Sequence, residues 1–222
     1  MKRVLSMLFI AALAMAGEYA CEFTKDGWKS EDWIDVKSPR WEYIGKWVQK
    51  DDHIQNVVPE GLTPEEQQRA QNFSSMVYKE PVPGNATISS TMLFEYKMAP
   101  EIVLANAVDK NEKGFPQYSE YWEIVLFNEG LNVWHHQIVD GKPFWRRAAF
   151  VSAPFEANTK YTMEATVKFT AKCPLLTVTC NGVKFGCMLP ELKKGFYAGI
   201  TGCEGINRFY DFKLKDDSKP KK

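Results

Sequence analysis

Tyr118-Ser-Glu-Tyr-Trp-Glu-Ile-Val-Leu-Phe127, Asn128-Glu129-Gly130, Leu131-Asn-Val-Trp-His-His-Gln-Ile-Val139, Asp140-Gly141 and Lys142-Pro-Phe-Trp-Arg-Arg-Ala-Ala-Phe-Val151 follow one another without interruption. Asp-Gly between two apolar runs signals a two-residue hairpin, because both central residues tolerate positive φ. Asn128-Glu129-Gly130 reads as a three-residue loop with glycine in the left-handed position. With those turns Phe127 faces Leu131 and Val139 faces Lys142. Counting back, Glu123 falls opposite His135, His135 opposite Arg146, and Tyr121 opposite Gln137. Directly opposed side chains in antiparallel strands have Cβ atoms roughly 4.5–5.5 Å apart, so an acid, a titratable base and a fixed cation would share one row.

Period-two alternation then divides the meander into two faces. One carries Tyr121, Glu123, Val125, Val133, His135, Gln137, Phe144, Arg146 and Ala148. The other carries Trp122, Ile124, Leu126, Trp134, His136, Ile138, Trp145, Arg147 and Ala149. The second set is the more apolar and is expected to form the core. Its three tryptophans have an alternative use, since flat indoles stack on sugar rings and their N–H groups meet hydroxyls.

The same alternation, punctuated by turn residues, extends through the chain. Strand candidates are 19–24, 41–44, 46–50, 53–58, 75–79, 87–98, 101–108, the three central strands, 159–170, 175–180, 183–188, 195–200 and 207–214. Asn181-Gly182 is a second hairpin signal. Thr63-Pro64-Glu65-Glu66 combines a hydroxyl cap, proline at the first helical position and an acid at the third, and predicts one short helix to about Gln71. The fold class expected is all-β, a two-sheet antiparallel β-sandwich with one short helix.

Length and composition fit a single domain: 222 residues, 45% hydrophobic and 14% aromatic. Lys plus Arg and Asp plus Glu each number 28, a balance that gives no support to nucleic-acid binding. Lys2-Arg3, the apolar run Val4–Ala14 and Ala14-Met-Ala16 read as a signal peptide over 1–16, giving a secreted or periplasmic protein with no membrane span. The domain is expected over 17–214 and a disordered charged tail over 215–222. Five cysteines (Cys21, Cys173, Cys180, Cys187, Cys203) leave at least one thiol unpaired or intermolecular. The Asn181-Gly182 register places Cys187 opposite Leu176, away from Cys180. The oligomeric state is not readable.

Four further stretches carry a resemblance. They are Trp41-Glu-Tyr-Ile-Gly-Lys-Trp-Val-Gln-Lys-Asp-Asp-His-Ile54, Thr177-Val-Thr-Cys-Asn-Gly-Val-Lys-Phe185, Gly195-Phe-Tyr-Ala-Gly-Ile200 and Arg208-Phe-Tyr-Asp-Phe-Lys-Leu214. Their order resembles the concanavalin A-like lectin/glucanase jelly roll, laminin-G-like and keto-disaccharide-hydrolase-like members included. It is also similar to small jelly-roll proteins that accompany bacterial pectin and uronate use. The resemblance implies a carbohydrate partner bound on an exposed sheet face, and a uronate- or pectin-type glycan as ligand.

Two departures bear on activity. Family-sixteen-type glucanases carry Glu-x-Asp-x-Glu on one strand, whereas Glu120 and Glu123 are three apart and point to opposite faces. Jelly-roll alginate and glucuronan lyases carry Gln-x-His, whereas this chain reads His135-His136-Gln137. The enzyme version of the reading uses His135, Tyr121, Glu123 and Arg146 as catalytic groups of a lyase or glycoside hydrolase. Gln137, Trp134, Trp145, His136, Arg147 and Trp122 are then substrate-binding. Hydrolysis needs a second carboxylate near Glu123, for which Glu120 and Glu95 are candidates. The alternatives are a non-catalytic lectin-like or adhesive module, a structural surface protein, and a plain cross-strand ion-pair ladder. No cofactor or metal is expected beyond a calcium ion that Asp211 and the N-terminal strand could hold. Asn72-Phe-Ser74 and Asn85-Ala-Thr87 match glycosylation acceptors.

Overall fold

The computed structural model describes residues 17–218 except Tyr43 and Gln71. The signal-peptide reading of 1–16 and the last four residues of the tail lie outside them. The chain folds as two large antiparallel sheets. Across the seven-stranded sheet the order is Lys142–Ser152, Gly130–Val139, Glu120–Phe127, Pro100–Ala105, Tyr197–Cys203, Phe73–Tyr78 and Trp33–Asp35. The nine-stranded sheet runs Val183–Met188, Pro174–Cys180, Tyr161–Phe169, Ala86–Phe94, Asn207–Phe209, Ile54–Asn56 and Trp47–Gln49. Asp211–Asp216 also pairs with Ala86–Phe94 and carries Glu18–Glu22 on its other side. A separate two-stranded ribbon, Val108–Lys110 with Pro116–Tyr118, leaves the seven-stranded sheet after Ala105.

The core between the sheets is built from alternate residues of both. Ile102, Leu104, Trp122, Ile124, Leu126, Leu131, Val133 and Ile200 meet Ile88, Met92, Met163, Ala165, Val167, Val178, Phe209 and Phe212. These positions are sealed from solvent, and burying each aliphatic or aromatic side chain contributes roughly 1.5–3 kcal/mol. The single α-helix among the described residues, Pro64–Arg69, starts as its sequence dictates. Thr63 Oγ1 accepts from Glu66 N while Glu66 Oε2 accepts from Thr63 N, a reciprocal cap.

Both Asn-Gly and Asp-Gly reversals have the expected backbone, with φ of 48° and 77° at Asn181-Gly182 and 50° and 74° at Asp140-Gly141. Cys187 stands opposite Leu176, as the hairpin count requires. Four local expectations change. Trp33–Asp35 and the 108–118 ribbon are strands the alternation did not mark, and Trp41 and Glu42 lie outside any strand. The long 207–214 candidate is interrupted at Tyr210 into two strands, the second reaching Asp216, so Lys215 and Asp216 belong to the sheet and not to a tail.

The important correction is at 128–130. The reversal uses only Asn128 and Glu129, and Gly130 already belongs to the next strand, opposite Phe127. Every pairing between these strands therefore slips by one: Glu123 faces Trp134, Trp122 faces His135, Tyr121 faces His136 and Glu120 faces Gln137. A one-residue slip exchanges the two faces of a strand. The glycine is spent on close approach, because a Cβ at Gly130 would stand 2.2 Å from the Val151 carbonyl oxygen. Between Gly130–Val139 and Lys142–Ser152 the register restores Val139 with Lys142 and His135 with Arg146, then shifts between Val133 and Trp134, where Ala148 is the extra residue.

Gly130→Ala should destabilise the fold by about 2 kcal/mol or more, since the clash is with backbone that cannot yield. Gly141→Ala, where nothing lies within 4 Å of the added Cβ, carries only the positive-φ penalty of about 1–2 kcal/mol. Urea unfolding of the two variants checks the order of the two losses.

Candidate functional site

The outer face of the seven-stranded sheet, turned away from the partner sheet, divides into a covered half and an open half. Residues 105–118 cover one half. There Tyr118 stacks on Tyr121 with centroids 4.6 Å apart, and Tyr121 stacks on His136 at 4.6 Å. Tyr121 is fully enclosed, and its hydroxyl shares a 2.9 Å hydrogen bond with Ser38 Oγ. Burial and the nearby Glu123 carboxyl push its phenol well above the ordinary range.

The open half is a pocket of about 220 Å³. Glu101, Glu123, Val125 and Asn132 line its sheet side; Trp134 and Trp145 stand beside them; Arg40, Trp41, Met98, Ala99 and Glu204 come from loops, and Phe73 and Cys203 from strand ends. Alternation explains the sheet residues: Glu101 pairs with Val125 and Glu123 with Val103, so the two glutamates are diagonal neighbours on adjacent strands of one face. Arg40 inserts its guanidinium between indoles, 4.4 Å from the Trp145 ring centroid and 5.1 Å from that of Trp41. Arg147 lies 6.0 Å from Trp134 and 5.1 Å from Phe150, extending the aromatic strip along the edge strand.

The polar groups of this pocket are unusually buried. Glu101 is 2% exposed and Glu123 is 5% exposed. Glu101 Oε1 accepts from Cys203 Sγ at 3.3 Å, while its Oε2 has no partner, nor does Asn132 Oδ1. His136 Nε2 is 2.7 Å from Glu123 Oε2, close enough for an ion pair but not aligned as a hydrogen bond. Burial, reinforced by Glu123, raises Glu101 well above the usual carboxyl range. Burial also raises Glu204, with Arg40 opposing the shift. Cys203 is pushed far up by burial and by the Glu101 carboxyl, so it is a thiol and not a nucleophilic thiolate.

The expected site residues are therefore distributed in a new way. Glu123, Trp134 and Trp145 line the pocket, with Tyr121, His136 and Arg147 on the same face around it. His135, Trp122, Gln137 and Arg146 belong to the opposite, core-facing side. His135 is buried flat against Trp122, 4.6 Å away with an interplanar angle of 2°. Its Nε2 is 3.2 Å from Glu120 Oε1, and Arg146 pairs with Glu191 at 3.4 Å. Burial lowers the His135 pKa. The row expected to unite Glu123, His135 and Arg146 does not form, because the Asn128–Glu129 reversal gives each histidine a different glutamate. Glu95 is engaged with Arg208 at the far sheet.

Glu101, Asn132, Arg40, Trp41, Cys203 and Glu204 were not marked by sequence reasoning. Glu101 had a usable signal: it is the only charged residue in the apolar strand Pro100-Glu-Ile-Val-Leu-Ala105. Arg40 and Trp41 had none, since nothing local places their loop over the sheet. Asp211 does not fit a calcium site, because its carboxylate accepts from Thr91 N and Thr91 Oγ1 and neighbours Lys213 Nζ. No group of three His, Cys, Asp or Glu side chains among the described residues could hold a metal. Asn72 is buried with its Oδ1 accepting from Glu204 N, and Asn85 Oδ1 accepts from Phe169 N, so both glycosylation motifs are tied into the fold.

The raised carboxyls carry a stability signature. A carboxyl whose folded pKa is raised holds its proton where the unfolded chain has lost it, so stability falls as pH rises from the ordinary carboxyl value of 4.5 through the raised one. Glu101→Gln should accordingly raise the melting temperature at pH 7 and leave it nearly unchanged at pH 4. Thermal melts across that range test the sign.

No family model matches the chain, and no curated protein does. Solved structures do. The exoplasmic/lumenal domain of VIP36, bound to Ca2+ and Man3GlcNAc, aligns with a TM-score of 0.59 at 13% identity, covering 91% of each chain. The Lotus tetragonolobus seed lectin aligns with a TM-score of 0.57 at 10% identity, over 90% of this chain and 97% of its own. Carbohydrate binding module CBM66 from Bacillus subtilis aligns with a TM-score of 0.55 at 10% identity, over 83% of this chain and 95% of its own. The chain has the concanavalin A-like jelly-roll fold that the order of its C-terminal motifs implied.

Proposed function

We propose that this protein is an exported carbohydrate-binding module of lectin type, taking a sugar residue of a glycan into the pocket of the seven-stranded sheet. The observation that carries the reading is chemical. Two deeply buried acceptors, Glu101 Oε2 and Asn132 Oδ1, lack partners inside a pocket walled by Trp41, Trp134 and Trp145. A buried acceptor without a partner costs about 1–3 kcal/mol, which a ligand hydroxyl or amine would recover. Indole faces supply the apolar stacking that a pyranose ring offers in return. The sugar ligands named for the VIP36 complex, on a chain of the same fold, point the same way. Export rests on the Lys2-Arg3 start and the Val4–Ala14 apolar run. No helix among the described residues is long and apolar enough to cross a membrane.

Binding fits the geometry better than lyase chemistry by the four groups expected from the sequence, since His135 and Arg146 face the core side and Tyr121 is sealed behind Ser38. One observation favours a second reading, glycoside hydrolysis. Glu101 and Glu123 are neighbouring carboxyls at one pocket floor, and burial raises Glu101 above the usual carboxyl range, as an acid–base pair for hydrolysis requires of one member.

On a glycan array the unmutated protein should give a defined set of signals. Trp145→Ala or Trp134→Ala should weaken them by about tenfold or more, the loss expected for one stacking indole. An array with no signal rejects the binding reading. Glu123→Gln separates the two readings: loss of released reducing ends with binding retained supports hydrolysis, and absence of turnover in the unmutated protein on every glycan it binds removes it.

A further inference from the structure

We propose that the sugar taken by this pocket is an amino sugar, held through its protonated amine by Glu101, Glu123 and Glu204. The inference rests on the glycan-binding reading and narrows it to one ligand chemistry.

The pocket is built to receive donors. Three carboxyls line it, together with the amide oxygen of Asn132, and two of these acceptor atoms are buried without a partner. Of the donors nearby, the Cys203 thiol is directed at Glu101 Oε1, and the Arg40 guanidinium lies against Trp145 and Trp41. His136 touches the pocket only through Glu123. Among the residues that line the pocket, the three carboxyls therefore outnumber the single cation, Arg40. An ammonium brings three donors, no acceptor and one positive charge, which matches that deficit on every count.

The competing chemistries fit less well. A uronate carboxylate, the ligand class implied by the resemblance, brings only acceptors and a like charge. A neutral hydroxyl can donate once but leaves the carboxyls' mutual repulsion unrelieved. That repulsion is felt among the pocket carboxyls themselves: Glu123 is among the causes that raise Glu101 and Glu204. The indole walls add to the preference, because a cation near an aromatic face is attracted to it. Arg40, held between Trp41 and Trp145 beside the same carboxyls, shows that this pocket accommodates a positive group against its aromatic wall.

Calorimetric titration of the whole protein with a fully deacetylated glucosamine tetramer, its N-acetylated counterpart, cellotetraose, tetragalacturonate and spermidine tests the inference. The glucosamine tetramer should bind at least about tenfold more tightly than either neutral tetramer, with the uronate weakest. In Glu101→Gln and Glu204→Gln the preference should shrink to about threefold or less. The glutamine at 101 keeps the side-chain shape, and 204 lies at a less buried position, so at least one variant reports on a folded protein. A neutral or uronate tetramer that matches the glucosamine tetramer overturns this inference and leaves glycan binding standing. A preference unchanged in both variants overturns the role of the carboxyls. Spermidine binding as tightly as the glucosamine tetramer overturns the glycan-binding reading itself, and no binding by any of the five overturns the amino-sugar inference.

Discussion

Each strand of the seven-stranded sheet has one face pressed on the other sheet and one turned outward, so pairing register decides which side chains can ever meet a ligand. The Glu120–Ser152 meander fixes that choice with two reversals and one bulge. Gly130 permits the first reversal by letting the Val151 carbonyl approach where any Cβ would collide. From that contact follows the sorting of the meander: Trp122, Ile124 and Leu126 to the core, Glu123 and Val125 to the pocket, Trp134 with the acids and His135 away from them. The extra residue at Ala148 then lets two consecutive alanines pack inward while Trp145 and Arg147 remain on the pocket side.

The pocket is open because only part of the outer face is roofed. The 105–118 excursion lays Tyr118 over Tyr121, and Val36, Val77, Val103 and Ala105 complete a small second core there. Beyond it the sheet carries polar groups in place of aliphatic ones. Glu101 stands where Val103 stands two residues later on the same strand, and Asn132 opposes Val125. Replacing apolar contacts with acids that no neighbour fully satisfies lowers stability at neutral pH, because burial disfavours the charged form. A sequence under no demand but folding would continue the aliphatic pattern. Local rules of folding are broken in this way at functional sites more often than elsewhere.

Much of the architecture could be read from residue order. Period-two alternation, Asp140-Gly141, Asn181-Gly182 and the Thr63 capping box each act within a few residues, and each appears in the structure as the local chemistry requires. The order of the C-terminal motifs, with no family model matching, still pointed to the concanavalin A-like jelly roll. The Asn128-Glu129-Gly130 turn was misread because glycine has two physical uses, left-handed backbone and close approach, and local sequence does not separate them. The distant Val151 carbonyl makes the choice. That single ambiguity moved His135 and Arg146 from the pocket to the core side. Arg40, Trp41 and Glu204 were invisible for a different reason: they arrive from loops whose course is set by tertiary packing. Glu101 was legible in principle, as a lone acid within an apolar strand.

The two histidines show how much one step of register is worth chemically. His135 lies flat on Trp122, its ring desolvated and one nitrogen against Glu120, at the margin of the inter-sheet core. His136, one residue on, is stacked on Tyr121 and brings its Nε2 to Glu123 at the pocket. Both rings are nearly sealed from solvent, yet only His136 can influence what the pocket binds, because only its glutamate faces the cavity. The structural pair Glu120–His135 and the pocket pair Glu123–His136 are the same residue types on the same two strands. Which pair reaches the pocket is decided by which sheet face is left open, and a sequence motif of acids and histidines carries no such information by itself.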